Sequence, residues 1–285
     1  MTSFEGLRSR SFARRVFTTP TDLERQGNFS QTFNIVANQP ALIQMFDPFS
    51  TRANPAGGSI RDAFAGNVIP ASRFDPVAQN VIKYFPRANT PGAAITNQNN
   101  YVASGSGQNN ITQHDYRVDY QINDRQRVFG RYSTRLNDSV PLKSFPDDLT
   151  IAEGRIVEED HVHGGVADYT NTISGSTILN VRLGYARTLY VFNNQSIGFK
   201  PSSLGFPAGY DIGPDFQLFP GFAASGYVGL GSGDHRRNAF MSHTTLANLT
   251  KIIGRHSIKT GFEGRLLRVN TNEARSAGDL ASAPA

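Results

Sequence analysis

Residues 115–136, DYRVDYQINDRQRVFGRYSTRL, alternate in side-chain character with a period of two on both sides of a turn. Tyr116, Val118, Tyr120 and Ile122 share one face of an extended segment, while Asp115, Arg117, Asp119 and Gln121 share the other. Successive side chains of a β-strand point to opposite faces, so this is a strand with one apolar and one polar surface. Asn123-Asp124 supplies turn chemistry. The return places Val128, Gly130, Tyr132 and Thr134 opposite Arg127, Phe129, Arg131, Ser133 and Arg135.

Two further hairpins follow the same plan. One spans 161–191, turning at Ile173-Ser174-Gly175-Ser176, and its return puts Leu179, Val181, Leu183, Tyr185, Leu189 and Val191 on one face, interrupted by Arg187. Asn180, Arg182, Gly184, Ala186 and Thr188 lie opposite. The last spans 240–269, turning at Ile253-Gly254-Arg255, with Ile258, Thr260, Phe262, Gly264 and Leu266 opposing Lys259, Gly261, Glu263 and Arg265. With 111–136 as the first, these hairpins occupy residues 111–270.

A soluble sandwich also alternates, so alternation alone does not fix the architecture. Strand length and loop asymmetry do. Strands of about 11–15 residues exceed the roughly 5–6 of soluble sheets and match a tilted crossing of a bilayer. Connections inside hairpins are about two to five residues, whereas 137–160 and 192–239 are roughly 24 and 48. In an antiparallel sheet every second connection returns to the same edge, so all long loops gather at one rim. Tyr116, Tyr169, Tyr190, Phe192 and Phe240 are read as an aromatic girdle near the long-loop ends.

The expected fold is therefore all-β: an incomplete transmembrane antiparallel β-barrel of about six long strands, with long extracellular loops and one or two short loop helices. Six strands do not close a barrel, since transmembrane barrels begin at about eight. An isolated section would leave two unpaired edges and a broad apolar face, predicting aggregation or detergent dependence.

Composition narrows the function classes. The chain has no cysteine, which excludes disulfides and thiolate sites. Its 28 basic and 23 acidic residues are interspersed, which argues against nucleic-acid binding. No apolar run reaches the roughly 18 residues of a spanning helix. Residues 1–17 are basic but precede no apolar signal segment, so the chain is expected to lack its true beginning, with 1–19 as the end of a preceding barrel strand. Residues 20–110 form a long irregular loop. Within it Thr21 and Glu24 have capping-box spacing before Gly27, predicting a helical turn at 21–26, and Asp75-Pro76 opens a short amphipathic helix over 75–85. Residues 271–285 read as a truncated loop.

Several of these segments resemble TonB-dependent receptors, in particular the Oar-like outer-membrane transporters. The matching stretches are Phe4–Arg8, Pro20–Ser30 (PTDLERQGNFS), Asp47-Pro48, Ile60–Pro70 (IRDAFAGNVIP) and Arg73–Ala78 (RFDPVA). The resemblance implies a large barrel in the cell outer membrane of Gram-negative type, occluded by a plug and contacting membrane lipid. It also implies uptake of a bulky extracellular nutrient, with energy supplied by a TonB-ExbB-ExbD complex acting through an N-terminal part outside this stretch.

On the strands, Arg117, Asp119, Arg131, Asn180, Arg182, Lys259, Glu263 and Arg265 are the candidate lumen-facing polar residues, suited to plug or water contact. His161 and His163 beside Glu158, Glu159 and Asp160 are read as a solvated cluster rather than a metal site. Gly226, Gly229, Gly231 and Gly233 are read as loop flexibility, since no βαβ unit surrounds them. No catalytic constellation, cofactor site or metal site is expected. The competing readings are a barrel-derived adhesion or structural protein and a soluble glycan-binding β module.

Overall fold

A computed structural model describes residues 1–211, 217–231, 234–274 and 280–281. Its main body is one sheet of strands β1 (Thr2–Phe17), β2 (Tyr101–Asn123), β3 (Gln126–Val140), β4 (Ile156–Ser174), β5 (Thr177–Asn194), β6 (His235–Ile253) and β7 (His256–Ala274). The seven strands lie in chain order, each antiparallel to the next. Among the described residues β1 and β7 are open edges, so the sheet is a section of wall.

The strand count and the boundaries differ from the sequence-based expectation of six strands. The piece expected as the end of a preceding strand is a full strand, pairing from Thr2↔Tyr116 to Phe17↔Tyr101. The sheet begins at Tyr101 rather than Ile111, and the hairpins cover 101–140, 156–194 and 235–274. The physical reason is compositional. Near the long-loop rim both faces are polar, as at Gln108-Asn109-Asn110 and Glu158-Glu159-Asp160, so the hydrophobic alternation fades while the backbone ladder continues. The long connections shrink accordingly to 18–100, 141–155 and 195–234. Of the segment expected as a truncated loop, 271–274 belongs to β7, Leu280–Ala281 pairs with Phe222–Ala223, and 275–279 and 282–285 lie outside the described residues.

Register partners share a face, which sorts every strand position. One face carries Phe12, Val118, Tyr120, Leu183, Phe262 and Leu266, all largely exposed. No second sheet covers it. That bare apolar surface rules against the sandwich, where it would form the core.

The buried core lies instead in the loops. Val81, Phe85, Phe145, Ala152, Leu204, Phe219 and Leu230 form one cluster, drawn from all three long connections. Phe219 is 0% exposed and packs against Phe199 at 4.8 Å and Tyr84 at 4.9 Å between ring centroids. The loops are thus a folded cap on one rim of the sheet. Thr21 and Glu24 form the expected capping box, the Thr21 amide donating to Glu24 Oε2 at 2.8 Å and the Glu24 amide to Thr21 Oγ1 at 3.3 Å, before a short 3-10 turn at Glu24–Gln26. Gly27 ends that turn with φ 77°, where a Cβ would also strike the Phe74 ring at 2.6 Å. Helix α1 (Pro76–Val81) starts at Asp75, whose side chain accepts from the Ala78 amide, and continues as a 3-10 turn to Tyr84.

Replacing Phe219 by Ala removes the side chain at the centre of this core, at a cost of about 3–5 kcal/mol. Limited proteolysis of the full-length protein is expected to cut the 195–234 connection faster while the strands stay protected; unchanged cleavage there would show that Phe219 does not hold the cap.

Candidate functional site

All eight residues expected to face a lumen lie on the same sheet face, opposite the bare apolar one. The register fixes this. Arg117 faces Arg131 across β2 and β3, Asp168 faces Arg182 across β4 and β5, Arg182 faces Leu246, and Leu246 faces Glu263. Asn180, Lys259 and Arg265 are even-numbered steps away from these along their own strands.

The structure joins most of them into local ion pairs. Arg117 is bidentate to Asp119, with both bonds at 2.7 Å, and its guanidinium also stacks over Phe129, 4.3 Å from the ring centroid. Arg131 binds Asp115 at 2.7 Å, and Ser133 and Gln113 also donate to that carboxylate. Asp168 is the most enclosed, at 5% exposure, accepting from Asn180 at 2.9 Å and Arg182 at 2.8 Å. Glu263 binds Arg265 at 3.0 Å. Lys259, opposite Thr250, is brought to no other member of the set.

Asp115, Asp168, Ser133, Gln113 and Phe129 complete the network without having been singled out as site residues. Their signal was available in part. Asp115 sits in the quoted alternation, and Asp168 shares strand parity with Asp160 and Thr170. Chemically the face is a polar surface with several of its charges paired, suited to water, polar solutes or a docked protein surface.

The girdle expectation needs correction. Tyr190, Phe192 and Phe240 stand on the polar face, as their even spacing from Arg182 and Leu246 requires, and Tyr190 packs edge-on against Phe240 at 6.0 Å. Tyr169 is on the apolar face but near the short turn. The aromatic row that does cross the apolar face is Tyr116, Tyr132, Tyr185 and His243, with Tyr132 Oη 2.7 Å from His163 Nδ1. The acidic residues beside the histidines divide between faces: Glu159 meets His161 at 3.3 Å, while Glu158 and Asp160 point to the other side. Gly226 and Gly231 have φ of 84° and 71°. A Cβ at Gly231 would lie 2.3 Å from the Pro220 carbonyl oxygen, so this glycine is required by close packing rather than by flexibility. Gly233 lies outside the described residues.

Above the polar face the cap is cross-linked. Glu24 accepts from Thr32 at 2.7 Å and from the Tyr227 hydroxyl at 2.9 Å, tying the first long connection to the third. Arg25 donates to the carbonyls of Pro20, Ile82, Phe85 and Pro86, and burial lowers its pKa with Arg87 adding to the effect. The Gly231 amide donates to Ala152, and Asn80 donates to the Leu204 carbonyl. A cavity of about 440 Å³ opens beside α1, between Val77, Val81 and Phe85 on one side and Phe206 and Phe222 on the other.

A long antiparallel wall with one bare apolar face, one charge-paired face and all long loops on a single rim defines a transmembrane β-barrel section. A protein-family model described as an outer membrane beta barrel domain matches residues 1–282, and the chain belongs to that family. It is an outer-membrane protein. No curated protein and no solved structure matches it. Among the described residues no helix is long and apolar enough to cross a membrane.

Two outcomes follow. Burial, reinforced by Glu24, raises the Tyr227 phenol above its ordinary 10.0. A raised phenol pKa means the folded cap holds a proton that the unfolded chain gives up, so stability is full below about pH 10 and falls as pH rises beyond it. Amide exchange in 195–234 is expected to quicken above that pH, and Tyr227→Phe should remove this component; identical profiles in the two proteins would contradict the assignment. In the wall, Asp168→Ala strands Arg182 and Asn180 and should cost about 1–3 kcal/mol. Arg265→Ala, which breaks a half-exposed pair on an edge strand, should cost no more than about 1 kcal/mol. Equal urea midpoint shifts for the two variants would show that the enclosed carboxylate is not special.

Proposed function

We propose that this chain is a section of a TonB-dependent, Oar-like outer-membrane receptor that takes up a bulky extracellular nutrient, supplying barrel wall, interior surface and an external cap. The observation that carries the reading is the cap. The stretches resembling that receptor family, 20–30, 47–48, 60–70 and 73–78, build its frame: the Thr21/Glu24 capping box, the Arg73–Asp47 ion pair, and the Asp75-Pro76 start of α1. Asn67 is part of the same frame. At φ 58° and 4% exposed, it donates to the carbonyls of Phe29 and Ile43 and accepts from the Met45 amide.

The role is recognition and passage, not catalysis. A folded cap presents a fixed surface to solutes outside the cell, and the apolar cavity beside α1 opens within it. The charge-paired interior face gives a plug a polar surface on which to seat and release, and the pull on that plug comes from the TonB-ExbB-ExbD complex.

The experiment is nutrient uptake by a strain producing the full-length protein, with and without TonB, screened over size-fractionated peptides and glycans. Uptake of at least one fraction that depends on both the protein and TonB is expected. Uptake indifferent to TonB, or none with binding at the surface retained, would move the protein to the adhesion class.

A further inference from the structure

Three aromatic side chains stand on the polar face of the wall, where the ion-pair network does not account for them. Tyr190 and Phe192 on β5 and Phe240 on β6 lie close to where both strands meet the cap. Tyr190 and Phe240 are 39% and 44% exposed, although they pack edge-on against each other at 6.0 Å. On a face otherwise built of amides and charges, these rings form a platform open to a ligand.

Their neighbours are hydrogen-bonding groups of both kinds. Register places Tyr190 between Asp160 on β4 and Asn238 on β6, with Asn137 one strand further on, and Phe192 between Glu158 and Arg236. Asn137 donates to Asp160 at 3.2 Å and Asn238 to Glu273 at 3.3 Å. Arg236 meets Asp234 at 3.4 Å and stacks its guanidinium 4.0 Å from the Phe192 ring centroid. The side-chain oxygens of Asn137 and Asn238 and Nε of Arg236 find no partner among the described residues. Enclosed polar atoms left unmade are costly, so this patch keeps both donor and acceptor capacity in reserve.

We infer that this patch binds a glycan, a neutral oligosaccharide whose pyranose C–H face lies on Tyr190 and Phe240 while its hydroxyls bond to Asp160, Asn238 and Arg236. A hydroxyl both donates and accepts, so it suits carboxylate, amide and guanidinium neighbours together. The electron-rich ring faces attract the weakly positive C–H groups of a sugar. Excess carboxylate at Glu158, Asp160 and Glu273 disfavours an anionic ligand. A small cation is served by rings enclosing it from several sides, whereas this pair is open and set edge to face. The inference names the nutrient of the receptor reading, and it rests on that reading for the claim that the bound glycan is taken up.

The test titrates the full-length protein, purified in neutral detergent, with cellohexaose, maltohexaose, xylohexaose and mannohexaose. At least one of them should bind. A Tyr190→Ala/Phe240→Ala variant should bind it at least about tenfold more weakly, the usual cost of truncating a central aromatic contact. Phe12→Ala, which removes an exposed ring from the opposite face, should match wild type. In the wild-type protein, saturating the aromatic protons should transfer magnetisation to the ring C–H protons of the bound hexaose, a readout that decides the matter even if the double variant does not fold. No binding across the four sugars, equal affinity in the double variant, no transfer from aromatic protons, or displacement of the hexaose by a tryptic digest of casein would each overturn the inference. TonB-dependent uptake confined to peptide fractions would overturn it while the receptor reading stands; hexaose binding at Tyr190 and Phe240 with uptake indifferent to TonB would do the reverse.

Discussion

A polypeptide inside hydrocarbon has no water to satisfy its amides, so each backbone donor and acceptor must find a partner in the protein itself. In this chain that demand is met between strands. Seven of them, in chain order, exchange ladders over 15 to 23 residues each. Everything else follows from that ladder. Antiparallel order sends alternate connections to opposite rims, so the turns at 124–125, 175–176 and 254–255 stay short on one side and the long connections collect on the other. The pleat then gives each strand one apolar face and one polar face.

Gathering the long connections has its own physical consequence. Segments far apart in sequence are held close together at one rim, which lowers the entropy cost of packing them against each other. Phe219, Leu204 and Leu230 from one connection, Ala152 and Phe145 from another, and Val81 and Phe85 from the first bury one another there. Glu24 and Arg25 satisfy the polar groups that such packing encloses. The cap is also tied to the wall, the Tyr101 hydroxyl donating to the Ser144 carbonyl and Leu142 packing over Gly105 and Gly107.

Where the sequence was informative, it was so because one physical signal dominated. The hairpins at 115–136 and 177–191 were legible because one face must be apolar and the other polar. The Thr21/Glu24 box and the Asp75-Pro76 start were legible because capping is local chemistry. The strand ends were not, since at Gln108–Asn110 and Glu158–Asp160 both faces meet water and the alternation disappears although pairing persists. The cap core was also hidden, because it unites single apolar residues from three separated connections that no local pattern links. The misplaced girdle is a different case. Strand parity puts Tyr190 with Arg182, whereas the face of Phe240 follows from its register opposite Thr188. Strand parity groups the eight polar residues strand by strand, but that they share one sheet face, and that Asp168 is their hub, depends on cross-strand register, which is set by the fold.

The central claim is that odd and even positions of one strand meet different solvents. The absence of native cysteine makes this directly measurable, since single cysteines can be placed along β2 of the full-length protein in a bilayer and spin-labelled. Collision with lipid-soluble oxygen should be high at 118 and 120 and low at 117, 119 and 121, with a water-soluble nickel chelate giving the reverse or no access. A flat profile, or an alternation of opposite phase, would contradict the assignment of lipid and interior faces on which the whole account stands.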